Sequence, residues 1–201
     1  MRQTLSLVML FLLLVPAGGC TRRINRFNIQ DHRALGPAQN YFEQFDECFY
    51  CRDAFGHYDI VVRRRGRSGA TDGPTFDQII YIRQVWEAKP GRTAAESSMI
   101  NATVSYLIVG PDGGASFEGG GFITLQENRR GDQLTGHLES SALIPQRRLG
   151  SVPDVFDKAS VTGRFRARRD KRQVVRVVNE MKRLFGPLPR YEPPPVDPNL
   201  R

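Results

Sequence analysis

Ile100-Asn101-Ala102-Thr103-Val104-Ser105-Tyr106-Leu107-Ile108 alternates with a period of two. Ile100, Ala102, Val104, Tyr106 and Ile108 share one face, and Asn101, Thr103 and Ser105 share the other. Successive side chains of an extended chain point to opposite sides of a sheet, so the stretch reads as a strand with one buried face. The same period recurs outward from it. Ala159, Val161, Gly163, Phe165 and Ala167 alternate with Ser160, Thr162, Arg164, Arg166 and Arg168. Leu134, Gly136, Leu138, Ala142 and Ile144 stand against Thr135, His137 and Glu139. Phe76 to Trp86 is apolar on both sides, with Ile80 and Ile82 against Ile79 and Tyr81, which predicts a strand covered twice. Tyr58 to Arg64 and Phe117 to Leu125 complete a set of six, separated by turn-forming runs such as Gly110-Pro111-Asp112-Gly113-Gly114 and Arg129-Arg130-Gly131-Asp132. No long helical segment lies between the strands, so parallel crossovers are not expected and the body reads as an antiparallel meander.

Two helices are expected to flank it. Gly36-Pro37 can open the first, and Ala38, Phe42, Phe45 and Phe49 follow at spacings of four, three and four, ending near Cys51 with Gly56 closing the unit. The second runs from Asp170 to Phe185, with Val174, Val177, Val178, Met181 and Phe185 as its apolar stripe, Asp170 as its cap and Gly186-Pro187 as its stop. Pro189 to Arg201 reads as an extended polyproline-type tail. The fold class is therefore mainly β: one domain over residues 37–186, with a single-faced sheet that must close into a small barrel or stack as a β-sandwich. Gly136 and Gly163 fall on the apolar face between larger residues, where they permit the coiling a small barrel needs. In layout alone this resembles the lipocalin or calycin barrels, which carry apolar ligands. The Gly-x-Trp motif of lipocalins is missing, since the single tryptophan, Trp86, follows Gln84-Val85. No ligand site is carried over from that family.

The chain has 201 residues with 29 Lys plus Arg against 21 Asp plus Glu, a formal net charge of +8. Hydrophobic residues make up 40% and charged residues 25%, which excludes a disordered or fibrous chain. Only the N-terminus is apolar enough to meet a bilayer. Met1-Arg2-Gln3-Thr4 is followed by a greasy run from Leu5 to Val15 and then by Pro16-Ala17-Gly18-Gly19-Cys20. This resembles the lipobox of bacterial lipoproteins, with Ala17 standing where leucine is usual. The resemblance implies cleavage before Cys20, diacylation of its sulfur and acylation of the new amino group. Residues 1–19 are then a signal peptide and residues 20–36 a lipidated tether, in which Arg22, Arg23 and Arg26 would lie against anionic headgroups. Thr21, rather than aspartate, after the cysteine implies the outer membrane, with the body in the periplasm. An ordinary secretory signal that leaves Cys20 as a free thiol is the alternative.

In an oxidising compartment Cys48 and Cys51 are expected to form a disulfide. A redox dithiol, a zinc site and unpaired thiols remain as alternatives. The pair lies at the wrong end of the expected helix for a dithiol, haem attachment would need histidine where Arg52 stands, and Cys48, Cys51, His57 and either His32 or His137 match no standard zinc spacing. Arginines cluster at Arg63-Arg64-Arg65 with Arg67, at Arg129-Arg130, at Arg147-Arg148 and from Arg164 to Arg172. Arg164, Arg166 and Arg168 form a row on one sheet face and are the candidate anion-binding residues, for lipopolysaccharide phosphates, acidic glycans or headgroups. A plain solvated face is the alternative. Nucleic acid is not expected for an exported protein. The glycine run Gly110 to Gly121 lacks the Gly-Lys-Ser or Gly-Lys-Thr ending of a phosphate loop and reads as a hairpin with a bulge. Asn101-Ala102-Thr103 matches a glycosylation acceptor inside a strand. No nucleophile elbow or metalloprotease motif occurs, and no catalytic residue, metal or cofactor is expected. The functional expectation is a non-enzymatic envelope module that binds or supports. A carrier of an apolar ligand and a thiol oxidoreductase using Cys48 and Cys51 are the alternatives.

Overall fold

The computed structural model describes residues 25–32, 39–66, 76–87, 100–150 and 158–188. Cys20 and the whole lipobox, Arg22, Arg23, Arg67 and the proline-rich tail lie outside them. Nine strands and one helix follow in order: β1 Arg26–Asp31, β2 Gln39–Gln44, β3 Glu47–Arg52, β4 Tyr58–Arg64, β5 Asp77–Gln84, β6 Ala102–Gly110, β7 Gly113–Glu127, β8 Gln133–Gly150, β9 Ala159–Arg169 and α1 Lys171–Phe185.

All nine strands belong to one mixed sheet. From β3 to β9 each strand is antiparallel to the next, the expected meander. β9 then pairs with β3 through Phe49 and Tyr50 against Arg168 and Arg169, so the hydrogen bonding returns to its start. That last pairing is parallel by necessity. Six reversals of direction bring the seventh strand back to the direction of the first. β1 takes the other half of the same edge of β9, and β2 lies outside β1.

Two of the expectations are corrected here. Residues 39–52 hold β2 and β3 where the phenylalanine spacing suggested a helix. The inward side chains Tyr41 and Phe45 are followed by Cys48 and Tyr50, so a phase jump of three at the bend Phe45-Asp46 imitates helical spacing. Residues 26–31, assigned to the tether, form β1, with Phe27 and Ile29 fully buried.

The inner face gathers one core from all the strands, including Phe27, Ile29, Tyr50, Ile60, Ile82, Val104, Tyr106, Phe117, Leu138 and Phe165. Gly136 and Gly163 serve this core by leaving room for aromatic rings. Gly136 pairs with Phe165, and a Cβ on it would stand 2.2 Å from that ring; Gly163 pairs with Phe27, and a Cβ there would stand 2.4 Å away. The two phenyl rings stack with centroids 6.2 Å apart, over the glycines that make space for them.

α1 covers the outer face of β3 to β6. Asp170 caps it, its carboxylate accepting from the Gln173 backbone N–H at 3.1 Å, and Gly186 ends it at φ 79°, as the sequence predicts. Val174, Val177, Met181 and Phe185 pack on Cys51, Val61, Ile79, Tyr81 and Leu107. β5 is accordingly buried on both faces, Ile80 and Ile82 inside and Ile79 and Tyr81 beneath the helix.

Polar side chains patch the sheet where its ladder slips. At the β7–β8 irregularity beside Ile123, the buried Asn101 amide accepts from the Ile123 N–H at 2.7 Å and donates to its carbonyl at 2.8 Å. Where β8 slips against β9 between Leu138 and Ala142, the Ser141 hydroxyl serves the N–H and carbonyl of Val161 in the same way. Asn101 therefore spends its amide on the backbone rather than presenting it to solvent.

Candidate anion-binding surface

The alternation of β9 decides which side chains meet solvent. Ala159, Val161, Phe165 and Ala167 are buried, and Arg164, Arg166 and Arg168 are exposed. At about 3.4 Å per residue their Cα atoms are spaced roughly 7 Å apart, so the row spans about 14 Å. Neighbouring strands extend it. Arg164 stands between Arg26 of β1 and His137 of β8, Arg166 is opposite Thr135, and Arg168 lies opposite Gln133 with its guanidinium 5.4 Å from the Phe49 ring centroid.

The arginine clusters of the sequence divide into two populations. Arg63 meets Asp77 at 2.5 Å and Glu180 at 3.3 Å, Arg64 pairs with Glu43, and Arg65 meets Glu47 at 3.1 Å. That cluster is neutralised within the fold. Among the described residues no carboxylate comes within ion-pair distance of Arg26, Arg129, Arg130, Arg164, Arg166 or Arg168. A row of like charges repels itself, and an arriving anion relieves that repulsion while offering acceptors to the guanidinium forks.

The row joins two open depressions. One, of about 730 Å³, is lined by Asn128, Arg129, Arg130, Asp132, Gln133, Arg168 and Arg169. The other, of about 870 Å³, includes Arg26, Arg164, His137, Thr162 and the ring of Phe42, which is 83% exposed. The first opens at the turn after β7, where the Asn128 side-chain oxygen accepts from the Asp132 and Gln133 backbone N–H groups.

Beside that turn lies a cluster the sequence does not announce. The Tyr50 hydroxyl donates to Glu127 Oε1 at 2.7 Å, the Tyr58 hydroxyl to Oε2 at 3.1 Å, and Arg52 reaches Oε2 at 2.6 Å while lying over the Tyr58 ring. Glu127 lies 69 to 77 positions in sequence from the three residues that meet it, which come from the β3–β4 hairpin, and only the pairing circuit brings it to them. Partial burial alone would raise the Glu127 pKa, but the hydrogen bonds from Tyr50, Arg52 and Tyr58 and the charge of Arg52 lower it overall. Burial, reinforced by the bond and charge of Glu127, raises the Tyr50 hydroxyl well above its ordinary range. The tyrosines thus stay protonated donors and the carboxylate stays charged, which suits a closure holding one end of the core. A folded-state pKa below the unfolded value contributes stability above about pH 4.3 and loses it as pH falls through the folded value. Glu127→Gln is expected to flatten the acid limb of stability measured by urea midpoint between about pH 5 and 3, with a parallel downward offset of the whole curve as the contrary result.

The cysteine expectation is corrected. Cys48 and Cys51 are both free and both buried. They lie three residues apart on β3, so their side chains leave opposite faces, Cys48 into the inner core and Cys51 beneath α1. Three extended residues separate the Cα atoms by roughly 10 Å, beyond the ~7 Å a disulfide can bridge. Burial raises the Cys48 thiol far above its ordinary value, and burial together with the charge of Asp59 pushes Cys51 up to about 11. Neither is a ready thiolate. Native-state maleimide labelling is expected to leave both unmodified and to reach both on unfolding. Recovery of a bridged Cys48–Cys51 peptide from protein digested without reductant would contradict this geometry.

No group of three or more His, Cys, Asp or Glu among the described residues is placed to hold a metal ion, and no helix there is long and apolar enough to cross a membrane. Compared with protein-family models, characterised proteins and solved structures, the chain matches none of them.

Proposed function

We propose that this chain is a lipid-anchored bacterial envelope protein, held through Cys20 and facing the periplasm, whose β body is a non-enzymatic binding or structural module. On this reading the pairing circuit is a small closed barrel that serves as a rigid scaffold, and its working surface is the outside. The observation that carries the reading is the uncompensated arginine row of β9 and its neighbours, set against a cluster at residues 63–65 that the fold neutralises. The interior argues against a carrier, because phenyl rings occupy the spaces left by Gly136 and Gly163. The two buried, separated thiols argue against an oxidoreductase.

Metabolic labelling with palmitate tests the anchor. Label should appear on the protein and disappear in Cys20→Ser, and the wild-type chain should partition with membranes. An unlabelled chain that keeps its first nineteen residues and stays in the cytosol would overturn the reading.

A further inference from the structure

We infer that the β9 face lies flat against the acidic phospholipid headgroups of the leaflet that carries the anchor; this rests on the lipid-anchor reading above. Where the tether meets the body is decisive. The Asn25 carbonyl accepts from the Phe45 N–H at 3.0 Å, and its side-chain oxygen accepts from the Arg166 N–H at 3.0 Å. The chain therefore joins the sheet beside the arginine row. Asn25 stands five positions after Cys20, a reach of at most about 18 Å when fully extended. A domain of this size is roughly 40 Å across. So short a leash holds the face that bears Asn25 toward the bilayer, while α1 covers the outer face of β3 to β6.

The chemistry of that face fits the surface it meets. Arg26, Arg164, Arg166 and Arg168 are exposed without carboxylate partners among the described residues, and each arginine close to an acidic leaflet adds attraction. Phe42 points out of the same face from β2, opposite Asn28, where an aromatic ring can enter the headgroup layer. Of the nearby carboxylates, Glu43 pairs with Arg64, Glu139 lies 2.9 Å from His137, and Asp132 accepts from the Asn128 side-chain amide at 2.6 Å.

The test uses the membrane-purified protein reconstituted into vesicles of phosphatidylcholine, with or without phosphatidylglycerol, made with bromine-labelled acyl chains. Phe42→Trp reports the β9 face and Val175→Trp the exposed side of α1, each read against the parent's Trp86. Quenching at position 42 but not at 175, in acidic vesicles alone, is the expected result. Changing Arg164, Arg166 and Arg168 together to Gln should lower the docked population roughly a hundredfold. Salt at about 0.5 M should release wild type without any substitution. Equal quenching in both lipids, no quenching at 42, or quenching at 175 would overturn the inference. Mass measurement of the same sample judges the anchor separately, because an unacylated Cys20 refutes the tether while the lipid dependence at position 42 still decides the docking.

Discussion

Gly136→Val is expected to cost about 3 kcal/mol, at the upper end of core overpacking. A Cβ at this position meets three atoms of the Phe165 ring at 2.2, 2.6 and 2.7 Å, and that ring is fully buried. It cannot swing away, because Phe27 stacks against it and Phe27 itself covers Gly163. For a chain of this size the loss corresponds to roughly 6–12 °C in melting temperature. Phe165→Ala alone should cost about 3–5 kcal/mol by opening a cavity. Combining the two should cost clearly less than their sum, since each relieves the defect of the other. Strict additivity in urea unfolding would show that the glycine and the ring do not compete for one space.

Met181→Asp is expected to be as damaging, at about 3–5 kcal/mol, through a different failure. Met181 has no exposed surface and sits at the centre of the contact between α1 and the outer face of β4 to β6. A carboxylate there would be buried among apolar side chains, so the helix must lift or the acid must take up a proton. Lifting exposes Val61, Ile79 and Leu107, which the inner core cannot shelter because they point away from it. The variant should unfold at lower urea and bind a hydrophobic dye before the main transition. A change below about 1 kcal/mol would mean that the helix is a peripheral addition to the sheet.

These two sites show what was legible in the chain and what was not. Helix α1 was readable because its cap, stripe and stop are all local: Asp170, the valines with Met181 and Phe185, then Gly186. β4 to β7 and β9 were readable because one face of each keeps its period, and β5 because both of its faces are apolar. β8 was read correctly only as far as Leu138: the slip before Ala142 turns Ser141 and Leu143 inward and leaves Ala142 and Ile144, expected on the buried face, exposed. The outward arginines of β9 followed from the same alternation. β2 and β3 were misread because a bend at Phe45-Asp46 breaks the period, and short-range spacing then favours a helix. β1 was missed because six residues with two large apolar side chains look like tether until β9 pairs with them. Which arginines stay unpaired was not legible at all. Arg63 is neutralised by Glu180, 117 positions away, and no local pattern foretells that meeting. The cysteine bridge failed with the helix that was to carry it, because in a strand the same spacing sends the thiols to opposite faces.

On the proposed reading the protein works from its outer basic face and not from an internal site. Amide chemical-shift mapping of the detergent-solubilised protein during titration with a short polyphosphate tests it most directly. Saturable changes confined to β9, the start of β1 and the 128–132 turn, abolished when Arg164, Arg166 and Arg168 are replaced by glutamine, are the result expected. An unperturbed β9, or shifts centred on the core residues Val104, Phe117 and Leu138, would contradict the claim.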